Sequence, residues 1–467
     1  MQAYRKPKIG LLGLMTDGYE PIFNGITKRQ EDYAREMVEK VSDSVDVVFP
    51  GAAKNRPEIE ATVKAFNDEG LDGILIVLLT YNQGTWLVRA LQDNNLPIAM
   101  AVVQPDQTVG LDWTELDLTV NQGIHGAQDN ANAINRAGIK CQFFAGNRHE
   151  QRFVDFVTDF AKAAQTVQFL RSMKVAVVGR MAGMADILTD EMAFYRKVGP
   201  ECRYDSMGSV FGFMEQVTKE EIDAVIERDK QAFDMDPNLS YESHAYAIHM
   251  YLAFKKFLDA GGYDAYTAHF DMVGADGRYK QLPLLAASHL LADGYGYAAE
   301  GDALCAAMTA AAHCLGDEPN ANFTEMYTMD FEEKAIIFCH AGEGNWKTCR
   351  SDQKPKLIDR YLGEGGLENP PTPIFTPQYG TATLTSLVNV CGEEFRLVLS
   401  MGDILPKTDL KRAEMPYIWY RPDTGVESCV EGWLKAGGTH HEVINLGDVA
   451  RRWTMLCDML GIEVVRV

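Results

Sequence analysis

Two glutamates and three histidines stand in segments that suit the presentation of a side chain. Glu300 lies in "DGYGYAAEGD", between small residues and just ahead of an alanine-rich helical pattern. Small neighbours leave room for a ligand, and a helix start favours a carboxylate. The same position also suits an ordinary helix-capping acid. Glu325, in "NFTEMYTMDF", sits at the entrance to a strand-rich region, and His340 ends the apolar run of "IIFCHAG". Two glycines and Thr439 precede the adjacent pair His440 and His441. Neighbouring side chains on a strand point to opposite faces, so only one of that pair is expected to face a shared site. Glu300, Glu325, His340 and one of the pair would make a set of oxygen and nitrogen donors. Such a set suits Mn²⁺, Mg²⁺, Co²⁺ or Fe²⁺ better than a closed structural zinc site. Taken singly, each residue also has a plainer reading, as a capping acid or a packing histidine.

The elements that must position these residues follow a regular pattern. "KIGLLGL" reads as a buried parallel strand, "RQEDYAREMVEKVSD" as an amphipathic helix, "VDVVFPG" as a strand and "PEIEATVKAFNDEG" as a helix. "LDGILIVLLTYN" and "LPIAMAVV" are further strands, separated by a helix. Strands alternating with helices predict parallel sheets covered on both faces. The pattern restarts at "KVAVVGRMAGM", after a long helix over "EQRFVDFVTDFAKAAQTVQFLRSM". Its glycine is turn chemistry and lacks the spacing of a dinucleotide loop. Past about residue 320 the chain becomes rich in Thr, Val, Tyr and Phe, broken by Gly and Pro. That texture predicts antiparallel strands in "EMYTMDF", "TPIFTPQYGTATLTSLVNV", "EEFRLVLSMGDIL" and "EMPYIWYRPDTG". The expected fold is α/β: two Rossmann-like, doubly wound domains over 1–170 and 171–320, then a strand-rich, mostly antiparallel domain over 321–467.

Composition narrows the function classes. The 467 residues carry a net charge of −22, which argues against nucleic acid or an anionic membrane surface as partner but leaves room for a local anion site. Nine cysteines with no CxxC pair argue against a disulfide framework or a zinc cluster and fit a reducing cytoplasm. No window has the roughly 18 apolar residues of a membrane helix, and the opening residues lack signal-peptide features.

Taken in order, "LDGILIVLLTYNQGTWLVRAL", "VNQGIHGAQDN", "GYGYAAEGD", "FTEMYTMDF", the His340 segment and "LKAGGTHHEV" resemble the L-arabinose isomerases and, more distantly, the L-fucose isomerases. The resemblance runs nearly end to end and implies an aldose–ketose isomerase. It places the metal ligands at Glu300, Glu325, His340 and His441, with Mn²⁺ expected first. It places the catalytic acid and base at Glu300 and Glu325, and His440 in support, on the substrate side. It also implies that a neighbouring subunit lends Gln122 and His125 to the sugar, in a homohexamer built from trimers.

That chemistry follows from the carbon acid involved. Moving a proton between C1 and C2 passes through a cis-enediolate, which a divalent cation on both oxygens stabilises. Two carboxylates flanking the carbons then alternate as base and acid. The chain departs from the arabinose enzymes after Asp302, where Ala303-Leu304 stand for Trp-Lys, and after His340, where Ala341-Gly342 stand for Met-Leu. These changes fall around the far end of the sugar, and leave a hexose, a 6-deoxy sugar or a sugar charged at C6 as alternatives. An epimerase or dehydratase using the same enediolate, and a non-catalytic sugar-binding protein, are the competing functions.

Overall fold

The computed structural model describes residues 5–316, 320–362 and 366–467. The first sheet is built from β1 (Lys8–Leu14), β2 (Asp46–Val48), β3 (Ala52–Ala53), β4 (Gly73–Leu78), β5 (Ile98–Val102) and β6 (Gln142–Ala145). Its order is 2-1-4-5-6 with β3 beside β1, and every pairing is parallel. Central β4, "GILIVL", is buried along its whole length because helices cover both faces.

A second sheet uses β7 (Lys174–Val178) and β8 (Glu201–Tyr204), followed in the chain by the short β9 (Asp234–Met235), which pairs elsewhere, and then β10 (Ala265–Ala268) and β11 (Gly296–Ala299). The order 11-10-7-8 is again all parallel. Parallel α/β sheets gather ligands at the carboxyl ends of their strands, and Glu300 is the residue that follows β11.

The last part of the chain contributes β12 (Ala321–Asp330), β13 (Ala335–Cys339), β14 (Lys356–Asp359), β15 (Pro371–Ile374), β16 (Gly380–Cys391), β17 (Glu394–Ile404), β18 (Tyr417–Pro422), β19 (Glu442–Leu446) and β20 (Glu463–Arg466). Strands 16-19-12-13-18-17 pair antiparallel in that order, and a β16–β17 pairing closes them into a ring, with β20 parallel on β17. Closure satisfies edges that would otherwise be open to other chains. The α/β class with a strand-rich, antiparallel last part is therefore as expected. Within this part, "TPIFTPQYGTATLTSLVNV" holds two strands, β15 and β16. Pro377 interrupts it, and Gly380 has φ +123, so the chain turns there. β15 joins β14 and β9 in a small separate sheet.

One buried cluster spans all three large sheets, joining Leu11, Val177 and Phe323 through Phe160 of the helix Gln151–Ser172 and Trp453 of the helix Ala450–Leu460. The barrel has its own interior, with Phe338, Leu384, Val398 and Ile444 plugged by Trp433. No helix among the described residues is long and apolar enough to cross a membrane.

Candidate active site

Glu300 reaches its place through an unusual backbone. It is a non-glycine residue at φ 65, in the left-handed region, a conformation that costs about 1–3 kcal/mol and persists only where neighbours hold it. Its N–H donates to Ala268 O at 2.9 Å, and its carbonyl accepts from Met181 N at 2.8 Å. The next residue is packed too closely for any side chain: a Cβ on Gly301 would lie 2.4 Å from Arg180 Cα. Glu300 is not a helix cap. Asp302 caps the helix Ala303–Leu315, its Oδ1 accepting from Cys305 N at 2.9 Å. The helix start therefore uses the second acid of the motif and frees Glu300 to face outward from the strand end.

Three neighbouring barrel strands supply the rest. Glu325 lies on β12, opposite Cys339 of β13, and Thr324 lies opposite Glu442 of β19. His340 follows β13 and His441 precedes β19, so Glu325 has one imidazole on each side. Phe323 lies beneath both, 4.8 Å from the His340 ring and 4.9 Å from the His441 ring.

The expectation that His440 and His441 face apart is overturned. Their ring centroids are 4.1 Å from each other. The pair precedes β19 on a bend, where strand alternation does not apply. The bend is held by Thr439, whose hydroxyl donates to His441 O at 2.6 Å and whose carbonyl accepts from Trp433 Nε1 at 3.1 Å. His441 Nε2 stands 3.4 Å from both Glu300 Oε2 and Glu325 Oε1. His440 Nε2 stands 3.6 and 3.7 Å from the same two oxygens, and His340 Nε2 lies 3.6 Å from Glu325 Oε1.

Each of the three histidines turns its other nitrogen to a carboxylate. His441 Nδ1 bonds Asp302 Oδ2 at 2.9 Å, His340 Nδ1 bonds Glu343 Oε2 at 2.8 Å, and His440 Nδ1 bonds Asp186 Oδ2 at 2.7 Å. Glu343 is itself buried and accepts from the Tyr297 hydroxyl at 2.6 Å. A carboxylate on Nδ1 fixes the tautomer and directs the Nε2 lone pair into the site, the arrangement common to metal-binding histidines. Sequence reasoning missed Asp302, Glu343, Asp186 and Tyr297. Asp302 and Glu343 sit in the same motifs as Glu300 and His340, and could have been found there. Asp186 is 254 residues from His440 and gives no local signal.

The electrostatics follow from these contacts. His440 and His441 hold the Glu300 carboxyl far below its ordinary pKa, against the opposing effect of burial. Burial disfavours a charged His441, but Asp302, Glu300 and Glu325 more than compensate and raise it. Burial, reinforced by the Glu325 charge, pushes Glu442 well up. Its Oε2 accepts from Met326 N at 3.1 Å behind the site.

The donor set fits a divalent cation. Glu300 Oε2 and His441 Nε2 are both buried and lack a hydrogen-bond partner. Ligands bonded at ~2.1 Å and at right angles would lie ~3 Å apart, close to the 3.4 Å seen between these two atoms. Two donor triads share His441: Glu325 with His340, and Glu300 with His440, their ligand atoms all within 4.8 Å of one another in each triad. Gln122 and His125 are not part of this cluster. Gln122 caps the helix Gly123–Arg136 and His125 lies in its first turn, so "VNQGIHG" is largely helical. His125 is exposed; its Nδ1 is 3.3 Å from Gln122 Oε1, and its ring is 4.9 Å from that of Tyr81. Among the described residues, these contacts tie it to the first sheet.

Comparison with known proteins gives the family. Residues 174–318 match the model of the L-arabinose isomerase central domain, and residues 320–463 that of its C-terminal domain. An L-arabinose isomerase of Clostridium beijerinckii is 28% identical over 465 residues, covering 94% of this chain and 93% of its own. The L-arabinose isomerase of Leuconostoc mesenteroides is 28% identical, covering 95% of each. That of Bacteroides thetaiotaomicron is 25% identical over 457 residues, covering 93% of this chain and 89% of its own.

Proposed function

Because this chain belongs to the L-arabinose isomerase family and is an aldose–ketose isomerase, an intramolecular oxidoreductase, we propose that it interconverts its sugars through a cis-enediolate at the cluster around His441. Glu300, Glu325, His340 and His441 would hold a divalent cation, Mn²⁺ in the first instance. When bound, the cation supplies a positive charge for the oxygens on C1 and C2, which lowers the cost of deprotonating carbon.

The remaining steps belong to the protein's own groups. One of Glu300 and Glu325 takes the proton from C2 of the aldose and a proton is returned to C1, while the hydroxyl proton on the C2 oxygen passes to the C1 oxygen. His440 and His441 hold Glu300 in the ionised form that a base must have, although the lowered pKa itself makes it a weaker base. His440, braced by Asp186 and only half-buried, faces the sugar side and bonds a substrate oxygen. Phe323 and the buried carboxylates behind the histidines keep the imidazoles from turning.

The observation that carries this reading is the pair of buried, unpartnered atoms, Glu300 Oε2 and His441 Nε2, aimed at one point. The test is to load the purified protein with Mn²⁺ and follow ketose formation across a panel of aldoses. A chain that forms no ketose with any aldose, with metal bound at unit stoichiometry, sinks the reading.

The working unit is a homohexamer in which the first part of one subunit lends Gln122 and His125 to the site of another. In support, His125 is exposed. The protein works in the cytoplasm, as the nine free cysteines suggest.

A further inference from the structure

Two arginines are buried to the same degree, Arg350 and Arg360, each 8% exposed. Arg350 is paired as expected, its Nε and Nη2 bonding the two Asp352 oxygens at 2.6 and 2.8 Å. Arg360 has no carboxylate partner among the described residues. Its Nη1 donates to the backbone carbonyl of Ala341, and it makes no other hydrogen bond there. A guanidinium stays charged at every physiological pH, so burial cannot be relieved by losing a proton. A buried charge without a counter-ion is costly. The other guanidinium nitrogens are not sealed from solvent and are free to take an anion.

The position of Arg360 says where that anion comes from. Ala341 is the residue after His340, and the next residue is Gly342. A Cβ at Gly342 would lie 2.9 Å from Arg360 Nη1, so glycine there leaves room for the guanidinium. The charge of Arg360 is felt at Tyr327 and Cys339. Cys339 lies opposite Glu325 on the neighbouring strand, and Tyr327 lies two residues along from Glu325. Tyr327 and Tyr361 are largely exposed beside it. Arg360 thus bonds the loop that follows His340, and its charge reaches Cys339, which lies opposite Glu325.

We propose that Arg360 is a specificity-determining residue that binds an anionic group, phosphate or carboxylate, at the end of the aldose remote from the reacting carbons. The inference rests on the isomerase reading of the site, and it names the substrate class that reading leaves open. A guanidinium in this place matches either anion with two parallel N–H donors.

The test uses the full chain loaded with Mn²⁺. Several hexose stereoisomers are each offered as the free sugar, the 6-phosphate and the hexuronate. At least one charged form is expected to show kcat/KM tenfold or more above its neutral parent, mainly through KM. The phosphate and uronate arms identify the anion. Arg360→Gln should raise KM for the charged form at least tenfold, and Arg360→Lys should recover part of the loss, more for phosphate than for carboxylate. A neutral parent that is as good as its charged forms overturns the proposal. So does a preference unchanged in Arg360→Gln. If Arg360 only braces the loop after His340, that variant lowers turnover of neutral and charged sugars alike, and the ratio stays put. If no sugar is isomerised, the isomerase reading has failed, and calorimetric binding of neutral, phosphorylated and carboxylated alditols decides the charge question separately. Binding that ignores either the charge or Arg360 overturns the inference.

Discussion

Asp302 holds His441 with one oxygen, 2.9 Å from Nδ1, and the start of the helix Ala303–Leu315 with the other, 2.9 Å from Cys305 N. The same side chain therefore fixes an imidazole from the barrel to a helix of the second sheet. Asp302→Asn keeps an acceptor for one partner only. It is expected to weaken Mn²⁺ binding by about 10–100-fold, the usual loss when a carboxylate behind a ligand histidine is removed. Asp302→Ala should in addition cost about 0.5–2 kcal/mol of stability through loss of the cap. Metal titration and thermal unfolding of both variants separate the two effects.

His440 and His441 face the same two glutamates, yet His441 is sealed in and His440 is 37% exposed. His441→Ala is expected to remove the metal from the purified protein, while His440→Ala retains most of it and loses activity through the substrate. Metal content by elemental analysis reads the difference. The opposite result would make His440, and not His441, the ligand imidazole.

Glu300→Gln and Glu325→Gln should each lower turnover by ~10²–10⁴-fold, the scale of general acid–base catalysis. In D₂O the ketose formed by the unaltered chain should carry deuterium at C1. A product free of solvent label, with either Gln variant still active, would replace the enediolate by a hydride shift.

Mixing two inactive chains tests whether the site is shared. His125→Ala and Glu300→Gln, co-assembled after subunit exchange, should recover part of the activity, because some sites then receive an intact residue from each chain. Lack of recovery in verified mixed oligomers, or full activity in a monomer, removes the shared site.

Away from the site, Asp229 is fully buried and its Oδ2 lies 3.0 Å from Nε2 of both His244 and His289. Burial works to raise its pKa, but His289, His244 and Arg228 outweigh that and hold it below the ordinary carboxylate value. A depressed folded pKa means that the stabilisation is present above the unfolded pKa of about 3.9 and is lost as pH falls toward the folded value. Asp229→Asn should cost about 1–3 kcal/mol at pH 7. Urea unfolding should show that gap narrowing as pH falls below about 4.

Much of this protein could be read along the chain. Runs such as "GILIVL" announce buried parallel strands because both faces must be apolar, and the change to Thr-, Val- and Tyr-rich segments announces the antiparallel part. Residue type and setting single out Glu300, Glu325, His340 and one of His440 and His441, and the choice of His441 comes from the resemblance to the arabinose isomerases. What the chain did not disclose lies in contacts between distant segments. Strand periodicity sent His440 and His441 to opposite faces, and only the bend held by Thr439 and Trp433 brings the rings together. Asp186 meets His440 across 254 residues, and no spacing rule reaches that far. The backbone of Glu300 is left-handed because Ala268, Met181 and Arg180 hold it so, not because glutamate prefers it. Arg360 lies outside every motif, and only the fold buries it with no carboxylate partner among the described residues. Local sequence decides which faces are apolar and which donors are available; the packing of three sheets against one another decides which of those donors share a point in space and which charge is left unpaired.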